Sequence, residues 1–221
     1  MSTILSIETS TTVCSAALHD DGRLIASEII HVPNSTASQL AVMIDKIIPA
    51  SLDAVAVSSG PGSYTGLRIG VATAKGICFG LDVPLIAIGS LQLMAAHVAE
   101  SSSGKSLLCP MIDARRMEVY TTLLDHDLRV IEPVQARIID ESTYSSILED
   151  HQVFFFGNGS DKCKSVITHP NAKFIGNIFP SAEWLGRLAF DSFVKNKFED
   201  VAEFEPFYLK DFIAKKPKSL V

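Results

Sequence analysis

The sequence predicts an α/β protein made of two copies of one β-β-β-α-β-α-β-α unit, related by duplication and facing each other across a cleft. At 221 residues the chain is long enough for two small domains, and 47% of it is hydrophobic, as in other globular proteins. The order of apolar runs in residues 1–100 recurs in residues 101–221. Small polar residues at 101–104 separate the halves, and an acid ends the first strand of each, Glu8 and Asp113.

The first half begins with three strands, because apolar residues dominate them and an Asp-Gly pair at 21–22 makes a turn between the second and the third. Asn34 or Ser35 is expected to cap the first helix, whose apolar residues recur at helical spacing. The predicted elements of this half are strands 3–8, 13–19, 23–31, 53–57 and 84–88 and helices 35–48, 67–80 and 90–99.

The second half follows the same order. A turn at 125–127 joins its second and third strands. Its last helix begins with Ser181 as the cap and Glu183 as an early acid, which is a common pattern at a helix start. The predicted elements are strands 106–112, 117–124, 128–139, 153–157 and 173–177 and helices 141–149, 160–168 and 181–196.

The charge balance excludes a strongly basic nucleic-acid-binding protein. The formal net charge is −6 at pH 7 and the pI is about 5.5, so no strong positive field is available to hold nucleic acid unaided. The basic tail at 215–218 is expected to be a solvated terminus, with a contact to RNA or to a partner as the alternative.

The cysteines and the N-terminus indicate a cytoplasmic protein. The four cysteines, at 14, 78, 109 and 163, form no Cys-x-x-Cys motif and lie in apolar sequence, which favours buried free thiols in a reducing compartment. The N-terminus lacks the basic region of a signal peptide, and Asp82 interrupts the longest apolar stretch, so we expect no membrane contact.

A glycine-rich loop is the most informative local feature of the sequence. Gly60, Gly62 and Gly66 lie within seven positions, between an apolar strand and a long helix. Such a loop can turn tightly and point its N–H groups in one direction, and the start of the helix adds unpaired N–H donors. The loop therefore suits either a phosphate group or a closely packed partner.

Four strings carry a family resemblance: IETS at 7–10, SGPGSYTGLRIG at 59–70, DARRMEVY at 113–120 and PFYLK at 206–210. With these strings the chain resembles the TsaB (YeaZ-type) family of the actin-like ATPase superfamily, from residue 3 to about 210. The resemblance implies two actin-like, ribonuclease H-like domains, 1–100 with the docking helices and 101–221 with the tail. Lys210 replaces the usual arginine, so this position lacks a bidentate guanidinium fork.

The resemblance also implies a function and partners. TsaB proteins take part in making threonylcarbamoyladenosine in bacterial tRNA, at the adenine that follows the anticodon. Their paralogue TsaD performs the catalysis and pairs with TsaB, and the ATPase TsaE joins them. For this chain the resemblance implies a homodimer when alone, a heterodimer with TsaD, contact with tRNA through the complex, and no cofactor requirement of its own.

No metal site is predicted. The six histidines are never closer than 12 residues, whereas two imidazoles one helical turn apart would be needed to share a metal ion. His97 lies where a TsaD-type helix carries its histidine pair, but the residue four positions earlier is Leu93. This spacing argues against a metallopeptidase and against the carbamoyl-transfer catalyst.

Two loops could bind a nucleotide weakly, and ordinary polar turns are the alternative. The superfamily's phosphate loop usually has an aspartate with a glycine two residues later, where this chain has Glu8 and Ser10. A Gly-x-Gly sequence after the predicted strand 153–157 is weak evidence for a second contact. The residues predicted for weak ATP or ADP binding, in the cleft or at the TsaD junction, are Glu8, Thr9, Ser10, Thr11, Gly157 and Gly159.

The helix predicted at 67–80 has two faces of small residues. One combines Gly66, Gly70 and Ala74 and the other Ala72, Gly76 and Gly80. Each interior glycine costs about 0.5–1 kcal/mol relative to alanine, so close backbone approach should compensate. Both faces could be buried within one domain, or the second could meet a partner in a four-helix interface. The predicted interface residues are Leu40, Met43, Ile47, Arg68, Ala72, Thr73, Gly76, Phe79 and Gly80.

Arg115, Arg116 and Glu118 lie in the predicted turn between the first two strands of the second half. A charged hairpin turn and a cleft or partner contact are both compatible with this sequence.

Three functional hypotheses follow. The first is a non-catalytic partner and activator of TsaD. The alternative is an ATP-dependent small-molecule kinase or ATPase of the actin-like fold with a degenerate phosphate loop. The weakest is a metallopeptidase-like protein.

Overall fold

Two five-stranded sheets form the centre of the molecule. The computed structural model describes residues 2–31, 36–102 and 104–210, without the side chains of Thr36 and Ala37. The predicted caps Asn34 and Ser35 and the basic tail at 215–218 lie outside the described residues.

The first sheet has the strand order β3-β2-β1-β4-β5. Strands β1, β2 and β3 pair antiparallel, and β1, β4 and β5 pair parallel. The elements of this half are β1 (Thr3–Glu8), β2 (Cys14–Asp20), β3 (Arg23–Ile30), α1 (Thr36–Ile47), β4 (Ala54–Gly60), α2 (Tyr64–Leu81), β5 (Leu85–Gly89) and α3 (Ser90–Ser101). The predicted element order of the first half is therefore confirmed.

The second sheet has the same relative order, β8-β7-β6-β9-β10, with β6, β9 and β10 parallel and β6, β7 and β8 antiparallel. Its elements are β6 (Leu107–Asp113), β7 (Glu118–Leu124), β8 (Val130–Ile138), α4 (Ser145–Asp150), β9 (Val153–Phe156), β10 (Ala172–Ile175) and α5 (Ala182–Val194). The carboxyl ends of β1, β4 and β6 carry Glu8, the glycine-rich loop and Asp113.

Three predicted helix bounds are corrected by local hydrogen bonds. Helix α2 begins at Tyr64, because Ser63 accepts a hydrogen bond from the Gly66 N–H as its N-cap. Helix α4 begins later than predicted, because the Asp140 carboxylate accepts bonds from the next residues and holds 140–143 in a turn. The helix predicted at 160–168 is wrong: only Asp161–Cys163 forms a 3₁₀ turn, since most backbone bonds there span three residues.

Helix α3 lies between the two sheets, and α5 packs beside it on the first sheet. Apolar residues of α5 and α3 pack on one face of the first sheet, while another side of α3 packs on the second sheet. His97 of α3 stacks on Trp184 of α5, with ring centroids 4.6 Å apart. The last helix of the second half thus covers the sheet of the first half.

The outer faces of the sheets carry the remaining helices. Helices α1 and α2 pack on the first sheet, and α4 with the 3₁₀ turn packs on the second. The four cysteines are buried and unpaired, as predicted, and burial raises the pKa of the Cys14 thiol to about 11. In the described part of the chain, no helix combines the length and apolarity that a membrane span requires.

Candidate functional site

The glycine-rich loop lies directly on the turn that follows β1. A Cβ atom on Gly62 or Gly66 would overlap the carbonyl oxygens of Ser10 and Thr9, respectively. The Ser63 N–H donates to the Ser10 carbonyl oxygen at 2.7 Å, and the Thr9 hydroxyl donates to the Gly66 carbonyl oxygen at 2.7 Å. These glycines therefore permit two loops of the same chain to touch through their backbones.

Glu8 is fully buried beside this contact. Its Oε1 accepts a hydrogen bond from the Ser10 N–H at 2.5 Å, and no described group makes a hydrogen bond to its Oε2. Burial raises the pKa of the Glu8 carboxyl, and the Ser10 hydroxyl and N–H and the Ser58 hydroxyl offset that increase only in part. Because burial disfavours the charged form of this carboxyl, Glu8 is less suited to bind magnesium than an exposed carboxylate. Thr11, by contrast, is half-buried and accepts a bond from the Val13 N–H.

The corresponding glycines of the second half have a similar environment. A Cβ on Gly157, whose φ is +99°, would overlap the Met111 carbonyl oxygen, and one on Gly159 would lie 2.9 Å from the Asp113 nitrogen. The strand β6 therefore occupies the space that side chains would need there. These contacts explain both glycines without a ligand, and weak nucleotide binding stays a prediction.

Residues 199–210 form a C-terminal strap that crosses the glycine-rich loop. The Phe207 N–H donates to the Ser59 carbonyl oxygen at 2.7 Å. The Tyr208 ring lies 5.0 Å from that of Tyr64, and the guanidinium of Arg68 lies 4.2 Å from the Tyr64 centroid. The strap thus brings the fourth string of the sequence onto the second.

The strap also reaches the hairpin between β6 and β7. Lys210 forms an ion pair with Glu118, and Lys162 forms one with Asp113. Because Glu118 and Asp113 belong to the string at 113–120, all four strings lie in one continuous region. The ion pair of Lys210 requires one positive charge and no guanidinium fork.

The two small-residue faces of α2 have different surroundings. Gly66 and Gly70 pack against Thr9, whereas a Cβ on Gly76 or Gly80 would meet no atom of the described residues within 4 Å. Ala72, Gly76 and Gly80 are exposed. The second face is therefore open, and we call Ala72, Gly76, Phe79 and Gly80 the outer face of α2.

Other predicted interface residues differ from one another in position. The prediction that Leu40 and Met43 lie on the interface surface is wrong. Each is only 2% exposed and lies in the core between α1 and the first sheet. Ile47 is half-buried against the same core. Thr73 is half-buried and its hydroxyl donates to the Ile69 carbonyl oxygen, while Arg68 is exposed.

Two exposed apolar residues of these helices were not predicted, Val42 on α1 and Leu81 at the end of α2. A signal was present for Val42. Leu40, Met43, Ile44 and Ile47 occupy the spacing of a single buried stripe, which leaves Val42 on the opposite side of α1. Phe79 was predicted, and its side chain is 87% exposed.

An open groove of about 330 Å³ lies between α2 and the strap. Lys75 lines the groove and donates to the carbonyl oxygens of Ala202 and Phe204 in the strap. Arg68 and Ala72, both predicted interface residues, line the groove. The other lining residues are Val71, Lys75, Phe204, Glu205, Pro206 and Tyr208.

No group of three or more His, Cys, Asp or Glu side chains within the described ranges could hold a metal ion. His97, the histidine nearest to a TsaD-type position, instead stacks on Trp184. Burial lowers the pKa of the His97 imidazole, and nearby glutamates oppose the shift in part.

Comparison with known proteins points to the same family as the four sequence strings. The family model "TsaD: tRNA N6-adenosine threonylcarbamoyltransferase" matches residues 38–220. The tRNA threonylcarbamoyladenosine biosynthesis protein TsaB of Bacillus subtilis is 31% identical, with 75% of each chain covered. TsaB of Escherichia coli is 28% identical, with 96% of each chain covered.

A solved structure extends the likeness to the whole fold. YeaZ from Pseudomonas aeruginosa superimposes with a TM-score of 0.80 at 27% identity, covering 95% of this chain and 100% of that chain. Another structure, described as an uncharacterized protein with similarity to peptidase YEAZ from the same organism, gives a TM-score of 0.79. The chain therefore belongs to the TsaB (YeaZ-type) family, within the wider group that the TsaD-type family model describes.

Proposed function

We propose that the chain takes part in forming threonylcarbamoyladenosine in tRNA as a non-catalytic partner of TsaD, and that the outer face of α2 is its docking surface. The relatives named above are called tRNA threonylcarbamoyladenosine biosynthesis proteins. The observation that carries the proposal is a contrast between two sets of glycines in α2. Residues of the chain itself occupy the space beside Gly66 and Gly70, whereas the space beside Gly76 and Gly80 is not occupied by any described residue.

The loops after β1 and β9 offer little for phosphoryl transfer. That chemistry needs backbone N–H groups and charged side chains directed at the substrate. Here the Ser63 N–H donates to Ser10, the loop glycines face carbonyl oxygens of their own chain, and Glu8 is buried with a raised pKa. These contacts favour a chain that supports catalysis elsewhere.

The outer face of α2 has the properties of a helix-docking surface. Each of its two glycines costs about 0.5–1 kcal/mol of helix stability relative to alanine. No described residue packs over Gly76 or Gly80, while Phe79 exposes 87% of its surface. A partner helix that approaches closely would bury Phe79 and compensate for the glycines.

We infer a four-helix interface from the position of α1. It packs beside α2 and exposes Val42, so two neighbouring helices can face two helices of a partner. In a second copy of the chain, or in TsaD, the same surface would be used, so the homodimer and the heterodimer would exclude each other.

Further expectations belong to this proposal. The common strand order of the two sheets supports two actin-like units related by duplication, 1–100 and 101–221. TsaE would be the third component, in the cytoplasm, and tRNA would be reached through the complex. Any ATP or ADP would bind weakly, in the cleft or at the TsaD junction, and this chain would require none.

Reconstitution tests the proposal. TsaD, TsaE, unmodified tRNA and threonylcarbamoyl-adenylate are incubated with and without this chain, and the modified nucleoside is measured by mass spectrometry. We expect modification to depend on this chain and on TsaD together. Equal modification without this chain, or modification by this chain without TsaD, would contradict the proposal.

A further inference from the structure

Two adjacent arginines occupy an unusual backbone conformation at the tip of the β6–β7 hairpin. Arg115 has φ +72° and Arg116 has φ +48°, both in the left-handed region. Two successive positive φ values are typical of tight hairpin turns, where asparagine, aspartate and glycine predominate. The hairpin thus places arginines at positions where their side chains bring no conformational advantage.

The arginine side chains contribute little to the fold. Both residues are exposed. Among the described residues, no carboxylate lies within 4.0 Å of either guanidinium. The turn is held through the backbone instead, since the Arg115 N–H donates to Asp113 and the Glu118 N–H donates to the Arg115 carbonyl oxygen.

Positive charge exceeds negative charge around this tip. The nearby carboxylates of Asp113 and Glu118 are already paired with Lys162 and Lys210. The two arginines therefore remain as an excess of two positive charges on a chain whose net charge is −6. Paired guanidinium groups that are free of carboxylates match phosphate oxygens in charge and geometry.

The strap adds one lysine next to the same place. Lys210 lies at the base of the hairpin, where it forms an ion pair with Glu118. Because that pair balances the Glu118 charge, the excess of positive charge stays with the two arginines at the tip.

We propose that Arg115 and Arg116 contact the phosphate backbone of the tRNA, which gives this chain a direct part in holding the substrate. The choice of RNA over an acidic protein rests on the proposed function. Phosphate contacts of this kind set position and affinity and do not read base sequence.

The test measures tRNA binding by fluorescence anisotropy from 50 to 300 mM salt, using the full chain alone and with TsaD. The probe is an unmodified tRNA transcript with adenine after the anticodon. The double variant Arg115→Asn/Arg116→Asn removes both charges, and asparagine tolerates the left-handed backbone, so the fold should be retained. The matched control Arg23→Asn/Arg129→Asn removes two exposed arginines from other hairpins.

We expect the double variant to bind tRNA roughly tenfold more weakly, with the slope of log K against log salt reduced by about 1.4–1.8. The control variant should match the wild type, and TsaD binding should be the same for all. An unchanged slope would overturn the inference, as would loss of TsaD binding in the double variant, since the arginines would then meet a protein. If the wild type does not bind TsaD, the proposed function fails, whereas tRNA binding by the TsaD complex that the double variant leaves unchanged overturns the inference alone.

Discussion

The two ends of α2 contain glycines for opposite reasons. At its N-terminal end, Gly66 and Gly70 have no room for a side chain, because Thr9 lies against them. At its C-terminal end, Gly76 and Gly80 have open space around them. The same residue type at the same spacing is thus explained by the fold at one end and left unexplained by the fold at the other.

This difference teaches how glycines in a helix can be interpreted. A glycine has a helix cost of about 1 kcal/mol relative to alanine wherever it lies in the helix interior. At Gly66 and Gly70, the contact between α2 and the loop after β1 offsets this free-energy cost within the chain. At Gly76 and Gly80 no described residue offsets this cost, and a partner helix is proposed to do so, which is why the outer face of α2 is the proposed docking surface.

The largest effect is expected from Gly66→Ala. The new methyl group would overlap the Thr9 carbonyl oxygen, which is backbone and cannot move aside cheaply. We expect a loss of about 3 kcal/mol or more in the free energy of unfolding. Thermal unfolding should show it as a Tm lower by about 6–12 °C. A variant as stable as the wild type would remove the distinction between the two ends of α2.

Gly76→Leu should leave the fold intact and weaken pairing. Within the part of the chain that the structure describes, no atom lies within 4 Å of the added Cβ, but a leucine on the outer face would keep a partner helix from approaching. We expect the dissociation constant for TsaD to rise about thirtyfold or more, equivalent to about 2 kcal/mol. Sedimentation and titration calorimetry measure this dissociation constant. Gly176→Leu, which also adds a side chain in open space, is the control and should pair normally.

Glu8→Gln should change how stability depends on pH. Because burial raises the folded pKa of Glu8, the folded protein retains a proton that the unfolded chain loses above about pH 4.5. The wild type therefore loses stability from this group as pH rises towards the folded pKa, by up to about 1.4 kcal/mol per pH unit. The glutamine variant lacks this loss, so its stability relative to the wild type should increase as the pH rises above about 4.5. Urea titrations that give a constant difference would show that Glu8 is ionised in the folded protein.

The smallest effect is expected from Gly76→Ala. Alanine has the higher helix propensity and no contact to disturb, so the isolated chain should gain about 0.5–1 kcal/mol. Thermal unfolding of the monomer at low concentration measures it. A loss of stability would mean that Gly76, like Gly66, is required by the fold.

The sequence was sufficient to predict local features. Apolar runs and turn residues predicted the strands of both sheets, and the helical spacing of Gly66, Gly70 and Ala74 predicted a packed face. The sequence also predicted an outer face at Ala72, Gly76 and Gly80, which is exposed in the structure. These features depend on residue type and on the spacing at which apolar or small residues recur, and both can be read from the sequence.

Other features depend on contacts between distant segments. The hydrogen bond from Thr9 to Gly66 joins residues 57 positions apart, and nothing in the local sequence of either loop specifies it. Leu40 and Met43 were assigned to the wrong side of α1, because periodicity identifies an apolar stripe without showing that the first sheet covers it. For the same reason, the packing of α5 on the first sheet was not predicted.

The central claim is that this chain acts by docking and that its glycine-rich loop is structural. The most direct measurement is the initial rate of tRNA modification in the reconstituted system with either Gly76→Leu or Ser10→Ala. Ser10→Ala removes a buried hydroxyl beside the Glu8 carboxyl, at the contact between the two loops, and leaves the Ser10 backbone contacts in place. We predict a rate within about twofold of the wild type for Ser10→Ala and a loss of about tenfold or more for Gly76→Leu. An inactive Ser10→Ala that still binds TsaD, together with an active Gly76→Leu, would contradict the account.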